Sequence, residues 1–546
     1  MVYRMLVADR IVELLQREGA EHVVGFPENR LIDAAAGAGM RPLITRTERV
    51  AVNIADGFAR ATNGRGLLPC VTQYGPGAEA AFGAVAQAFG DRSPILVLPT
   101  EHGVPEQETH GLFEAERSYR EITRFAATVN RPEAAPIALG RALRALRTGC
   151  DGPVMVAVAN DVMNGEAGEA DWSLPRMGPT RSQADPADVR RAAEAILGAR
   201  RPVILAGQGV LYAEATDQLV ELAELAGLPV ATTLNGKSAF PEDHPLSLGT
   251  ASRTRPSTVD RAFADADLVV GVGTSFTPSL YITPLPPGAA LGQITNDRRD
   301  LVSRGRVAFT CVGDAALVLG QLNEQLRTDG ASPSPETSAE LAAERDRFRA
   351  AWAEHLASEA APISPYRIVA ELMRVCDPHR TVLTHDAGHP RDQIAPFYET
   401  LVPRGYLGWG KSTQLGTGFG LALGAALARP DWLAVNVMGD AAFGMIGMDM
   451  ETAVRCRIPI ITVVMNNGVM GGYGEWMPRA VDSFSSNRLS GDYAAVGRAL
   501  GAHVETAETP HELGPALERA VAAAGDGRAV LLEVMTHEEP RLATGG

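Results

Sequence analysis

The feature that most constrains this chain is the alternation, kept up almost from end to end, of short apolar runs with longer alanine-rich stretches. "HVVGF", "ILVLP", "PVMVAVA", "PVILAG", "LVVGVG", "TVLTH", "AVNVMG", "IPIITVVM" and "AVLLEVM" are all of strand length and rich in Val, Ile and Leu. Strands spaced by helical patterns predict parallel sheets joined by crossover helices, an α/β class. Two polar segments interrupt the pattern, "NGEAGEADWSLPRMGPTRSQADP" (164–186) and "NEQLRTDGASPSPETSAELAAERD" (323–346), the second running into a helix. Their Gly, Pro, Ser and Glu content reads as linker. The expected organisation is three α/β domains, over 1–170, 186–325 and 360–546, which suits 546 residues at roughly 150 per domain.

Composition narrows the function classes. The formal charge of −15 argues against a nucleic-acid partner, although it leaves room for an anion held locally. The five cysteines, Cys70, Cys150, Cys311, Cys376 and Cys456, are scattered and form no CxxC, so neither a disulfide framework nor a zinc site is expected. A reducing cytoplasm fits that usage. Arg4, Asp9, Arg10 and Glu13 interrupt the opening stretch, which reads as an amphipathic helix rather than a signal peptide. The longest apolar stretch, "LGTGFGLALGAALA" (415–428), is too short to cross a bilayer.

One stretch raises a chemical question. "GDAAFGMIGMDMETAVRCRIPIITVVMNN" (439–467) delivers a carboxylate to the end of one apolar strand and a carboxamide to the end of the next. Asp440 as a helix cap and Asn467 as a turn residue is one explanation. A metal site is the other. Ile446, Met450, Ala453 and Val454 follow the spacing of one buried helix face, so the unit reads strand, helix, strand. Its two parallel strands then end at the same sheet edge, where Asp440 and Asn467 can meet. Hard oxygen ligands with vacancies for phosphate oxygens suit magnesium, and a helix starting after Asp440 points amides at a phosphate.

Gly439 and Asp440, followed at this spacing by the second Asn of "NN", resemble the fingerprint of thiamine diphosphate enzymes, with Ala441 where that pattern has a second Gly. Far upstream, "PLITRTERVAVNIADGFARATNG" (42–64) resembles the segment carrying the activating glutamate in the same family. A Glu near a helix N-terminus is also explained by the macrodipole alone. The resemblance implies three doubly wound domains and a site built from named residues. Glu48 hydrogen-bonds the pyrimidine N1′ and favours the tautomer that takes the proton from C2. Leu415 is the apolar wedge that bends the cofactor. Asp440, Asn467 and the Val469 carbonyl bind magnesium. Gly388 and His389 of "THDAGHPRDQ" hold the diphosphate with Gly439, Ala441 and Ala442. His385 is left as either a pocket residue or a solvent-facing loop histidine.

Within that family the chain is most similar to the acetolactate synthase branch. "GVMGGYGEW" places Trp476 where that branch shapes its second-substrate pocket, with buried packing as the alternative, and Tyr74 of "TQYGPG" stands near the pocket. "PEQETHGLFEAE" does not reproduce the branch's "GTDAFQE" loop, and the middle domain lacks its flavin pattern, so FAD is not expected. Decarboxylases of the family often carry a His pair near the position of Gln73 and Tyr74, and none stands there in sequence. The resemblance thus implies decarboxylation of a 2-oxo acid and acyl transfer to a second carbonyl. A simple 2-oxo acid decarboxylase, a 2-hydroxyacyl-thioester lyase and a non-catalytic cofactor-binding subunit are the alternatives. It further implies a homodimer or homotetramer in which Glu48 of one subunit faces Asp440 and Leu415 of its neighbour.

Overall fold

The computed structural model describes residues 5–148, 152–176, 178–278, 283–333 and 335–544, so Cys150 lies outside the described residues. The other four cysteines are free and buried. Three six-stranded sheets carry the chain, and every pairing between neighbouring strands is parallel. The first contains β1 (His22–Phe26), β2 (Arg41–Ile44), β3 (Cys70–Thr72), β4 (Leu96–Glu101), β5 (Phe125–Val129) and β6 (Val154–Ala159), in the order β2-β1-β3-β4-β6-β5. The second contains β7 (Pro202–Ala206), β8 (Val230–Thr233), β9 (Ser247–Ala251), β10 (Leu268–Val272), β11 (Ala290–Thr295) and β12 (Arg306–Val312), in the order β12-β11-β10-β7-β8-β9. The third contains β13 (Thr381–His385), β14 (Tyr406–Leu407), β15 (Leu433–Gly439), β16 (Ile461–Asn466), β17 (His503–Ala507) and β18 (Val530–Met535), in the order β14-β13-β15-β16-β18-β17. Strands such as β4, β6, β10, β13 and β16 are buried at every position, as a sheet covered by helices on both faces requires.

By compactness the chain divides into two units. The first is Met1–Thr180 with Ser412–Pro430 and Ile446–Ile460; the second is Arg181–Lys411, Asp431–Met445 and Ile461–Gly546. In the first unit, helix Glu48–Ala61 packs along helix Thr417–Ala428 with backbones nearly touching. A Cβ on Gly57 would stand 2.2 Å from the Leu421 carbonyl oxygen, and one on Gly424 2.1 Å from that of Ile54, so only glycine permits the approach. The same helix explains much of "ADGFARATNG" without chemistry. Arg60, fully buried, pairs with Asp56 at 2.6 Å and with Asp91 at 3.1 Å. Removing Arg60 would take the shared guanidinium from two buried carboxylates, at a cost of about 3–5 kcal/mol.

The helix expected across 446–454 is not continuous. Helix Asp440–Ile446 gives way to a 3-10 turn at Gly447–Asp449 before helix Met450–Arg455 resumes. Asp449 lies in that turn, where its buried carboxylate accepts from the Arg46 amide (2.8 Å), the Thr47 hydroxyl (3.2 Å) and the Thr452 hydroxyl (2.8 Å). The polar stretch 323–346 is mostly helical, falling within helices Ala315–Thr328 and Pro335–Leu356. Among the described residues, no helix is long and apolar enough to cross a membrane.

Candidate active site

In the second unit, β13, β15 and β16 are neighbours, and all three end at one edge. Gly388 and His389 follow β13, Asp440 follows β15, and Asn467 follows β16. The parallel register, Gly439 opposite Met465, brings Asp440 and Asn467 to the same level. Asp440 is 3 % exposed and its carboxylate is held by the main chain: Oδ1 accepts from the Ala441 amide at 2.7 Å and Oδ2 from the Gly468 amide at 2.8 Å. Burial raises its pKa, and those amide bonds pull it back down.

The two asparagines of "NN" part company here. Asn466 belongs to the strand and donates to Glu533 at 2.7 Å, whose other oxygen accepts from the Ala494 amide at 2.7 Å. Asn467, half-buried, accepts from the Val469 amide at 3.1 Å in the turn that follows. The Ala441 amide serves Asp440 in this arrangement, and Ala442 is buried. A Cβ on Gly439 would lie 3.9 Å from Pro390, so the turn after β15 faces the loop after β13. Gly388 has φ +86° and open space where a side chain would be, the form of a loop that lets a ligand approach its backbone.

These residues fit a hard cation and a diphosphate. Among the described residues no group of three or more His, Cys, Asp or Glu could hold a metal, so a cation here would rest on one carboxylate completed by carboxamide and carbonyl oxygens. That donor set suits magnesium, which takes few protein ligands and shares its sphere with phosphate. Trp476 lies beyond, in helix Tyr473–Trp476, and is 82 % exposed, which removes core packing within the chain as its explanation. His385 is fully buried and stacks on Trp409 at 5.2 Å, so it is not a solvent-facing loop residue.

The first unit holds the other residues. Glu48 opens its helix beneath the Thr47 cap, and a Cβ on Gly77 would stand 3.4 Å from Glu48 Oε1. Burial raises the Glu48 pKa, and no other side chain among the described residues bonds its carboxylate. Leu415, half-buried, sits in the turn before helix Thr417–Ala428, whose first turn abuts Glu48's helix: a Cβ on Gly416 would stand 3.3 Å from Arg49. Tyr74, after β3, lines a cavity of about 610 Å³ with Glu28, Arg30, Gln73, Thr100 and Asn160. One neighbour escaped the sequence analysis. His102, just past β4, lies with its ring 4.9 Å from that of Tyr74, and its Nε2 is buried without a hydrogen-bond partner. A histidine does stand at this position, then, delivered by the β3–β4 pairing; the signal for it was "TEHG" at the end of a strand leading to the same edge.

Family models for thiamine pyrophosphate enzymes match the chain in three places: the N-terminal TPP binding domain over 5–120, the central domain over 189–322 and the C-terminal TPP binding domain over 386–534. The chain belongs to the thiamine pyrophosphate enzyme family. This thiamine pyrophosphate enzyme is 29 % identical to the probable acetolactate synthase large subunit of Methanocaldococcus jannaschii, covering 94 % of this chain and 89 % of that one. It is 26 % identical to acetolactate synthase isozyme 3 large subunit of Escherichia coli (99 % and 97 % covered), and 26 % identical to sulfoacetaldehyde acetyltransferase of Alcaligenes xylosoxydans (98 % and 94 %). It is a thiamine diphosphate-dependent enzyme of the acetolactate synthase type.

Proposed function

We propose that this enzyme decarboxylates a 2-oxo acid and transfers the acyl unit to a second carbonyl compound, using magnesium to anchor its cofactor. The observation that carries the site assignment is the Asp440 carboxylate, buried and oriented by two main-chain amides at the strand edge it shares with Asn467 and Gly388. When bound, thiamine diphosphate supplies the electron sink that lets a 2-oxo acid lose carbon dioxide. Asp440, Asn467 and the Val469 carbonyl hold magnesium; Gly388, His389, Gly439, Ala441 and Ala442 approach the diphosphate. Glu48, whose proton affinity is already raised by burial, shares a proton with the pyrimidine N1′. Leu415 would supply an apolar contact to the cofactor, and Tyr74 and Trp476 would border the substrates. The working unit is a cytoplasmic homodimer or homotetramer in which each cofactor is held by Glu48 of one chain and Asp440 of another.

The central domain is proposed to carry no flavin. The Gly209 amide donates to the Gly273 carbonyl at 3.0 Å, and a Cβ on Gly207 would meet that oxygen at 2.3 Å, so the loops after β7 and β10 pack directly on one another. A yellow flavin chromophore in the purified protein would overturn this.

A second reading, release of a free aldehyde, is favoured by His102, which stands beside Tyr74 with a nitrogen available for proton delivery. Incubating the protein with thiamine diphosphate, magnesium and a panel of 2-oxo acids, with and without carbonyl acceptors, separates the two by NMR of the products. A 2-hydroxy ketone or 2-hydroxy-2-alkyl-3-oxo acid supports carboligation. Aldehyde alone supports the second reading, and no turnover by any donor removes both.

A further inference from the structure

The loop that leaves β16 through Asn467 and Val469 does not hang free. It packs against the imidazole of His389. A Cβ built on Gly471 would fall 2.4 Å from His389 Nδ1 and 2.5 Å from Cε1, and one on Gly472 3.7 Å from Nε2. Gly471 has no positive φ among the described backbone, so space rather than conformation demands glycine there. The loop is also held by hydrogen bonds to other segments. The Met470 amide donates to Asn487 O at 2.8 Å, the Leu489 amide to Gly468 O at 2.8 Å, and the Gly472 amide to Glu538 Oε1 at 3.0 Å. It cannot retreat from the ring without breaking these bonds.

His389 is half-buried and follows directly on Gly388, in the loop assigned to the diphosphate, while Gly471 is two residues past Val469, whose carbonyl is assigned to magnesium. One imidazole therefore touches both loops. We propose that His389 is a positioning residue: its ring is the seat that sets the height of the 467–472 loop and so makes magnesium and diphosphate binding depend on one another, with Gly471 as the obligatory gap. This rests on the cofactor site proposed above. A methyl at Gly471 would lift the loop and move the Val469 carbonyl, whereas the same methyl opposite an alanine at 389 would find room.

The test is a double-mutant cycle on the full-length protein. Magnesium affinity is measured by titration calorimetry at saturating thiamine diphosphate, alongside thermal melting of the cofactor-free proteins. Gly471→Ala is expected to weaken magnesium about tenfold or more when His389 is present. In the His389→Ala protein the same change should shift affinity by no more than about twofold. An equal loss in both backgrounds, or none in either, overturns the proposal. If Gly471→Ala does not fold, a folded His389→Ala/Gly471→Ala protein supports the clash, and failure of both overturns it. Asp440→Ala serves as the control for the underlying site: unchanged magnesium affinity there would sink the cofactor assignment itself, whereas loss there beside an innocent Gly471→Ala sinks only the His389 seat.

Discussion

Glu48 and Asp440 are both carboxylates whose pKa is raised by burial, yet the chain treats them in opposite ways. Asp440 has each oxygen engaged by a main-chain amide, on turns fixed by the β15–β16 pairing. Glu48 has the buried Cys70 thiol and Tyr119 phenol as its electrostatic neighbours, groups that themselves resist ionisation there because of burial. Amide donors stabilise the ionised form and aim the remaining lone pairs, which is what a cation ligand needs. Glu48, whose carboxylate has only its own main-chain amide as a donor, keeps a proton affinity closer to that of a partner base, which is what proton sharing needs. Two acids raised by the same cause are thus prepared for different work by how their oxygens are held, one by its own amide and the other by amides from two loops.

The difference predicts two distinct failures. Asp440→Ala removes the only anionic ligand proposed for magnesium, so metal-dependent binding of thiamine diphosphate should be lost altogether in calorimetry. Unchanged cofactor affinity would erase the contrast, since Asp440 would then be only a turn residue. Glu48→Gln should leave binding intact while hydrogen exchange at C2 of the bound cofactor slows by roughly 10²–10⁴. A normal exchange rate would take Glu48 out of the chemistry. Mixing the two dead proteins under conditions that exchange subunits sharpens the same comparison: if each cofactor is shared between chains, one working site per mixed dimer returns, and no recovery despite proven exchange sinks the shared site.

Much of this architecture was legible because it rests on local signals. The apolar runs became buried strands at the expected places, and Asp440 and Asn467 met because a strand, a crossover and a parallel strand leave no other outcome. What escaped was set by long-range pairing. β3, with three residues, and β14, with two, are too short to show a period, and β12 begins with exposed positions at a sheet edge. His102 reaches Tyr74 only through the β3–β4 register. Asp449 braces the turn before Glu48 across 402 residues of sequence, and the break in the helix around it is invisible in a hydrophobic pattern that runs on undisturbed. The motif "ADGFAR" carried the resemblance but not its physics: Asp56 and Arg60 form a buried ion group with Asp91.

The smallest expected effect reads the comparison in stability alone, without cofactor. Glu48 has a folded pKa above its ordinary 4.5, so between those two values the folded chain binds more protons than the unfolded one. Stability therefore falls as pH rises through that window, and the cost of the buried charge is present at pH 7 and absent below about 4.5. Glu48→Gln removes that cost and gives up no bond to another residue, so the cofactor-free variant should melt above the parent at pH 7, with the gap closing toward pH 4. Asp440→Asn behaves differently. Its new amide group can accept from only one of the Ala441 and Gly468 amides and must set its own N–H₂ against the other, which costs either the Ala441 bond or the shorter of the two bonds that the Gly468 amide makes, its other acceptor being Asn466 Oδ1 at 3.2 Å. That variant should melt below the parent at pH 7. If both substitutions shift the melting temperature the same way, the two carboxylates are held alike, and the division between a proton-sharing acid and an oriented ligand loses its structural basis.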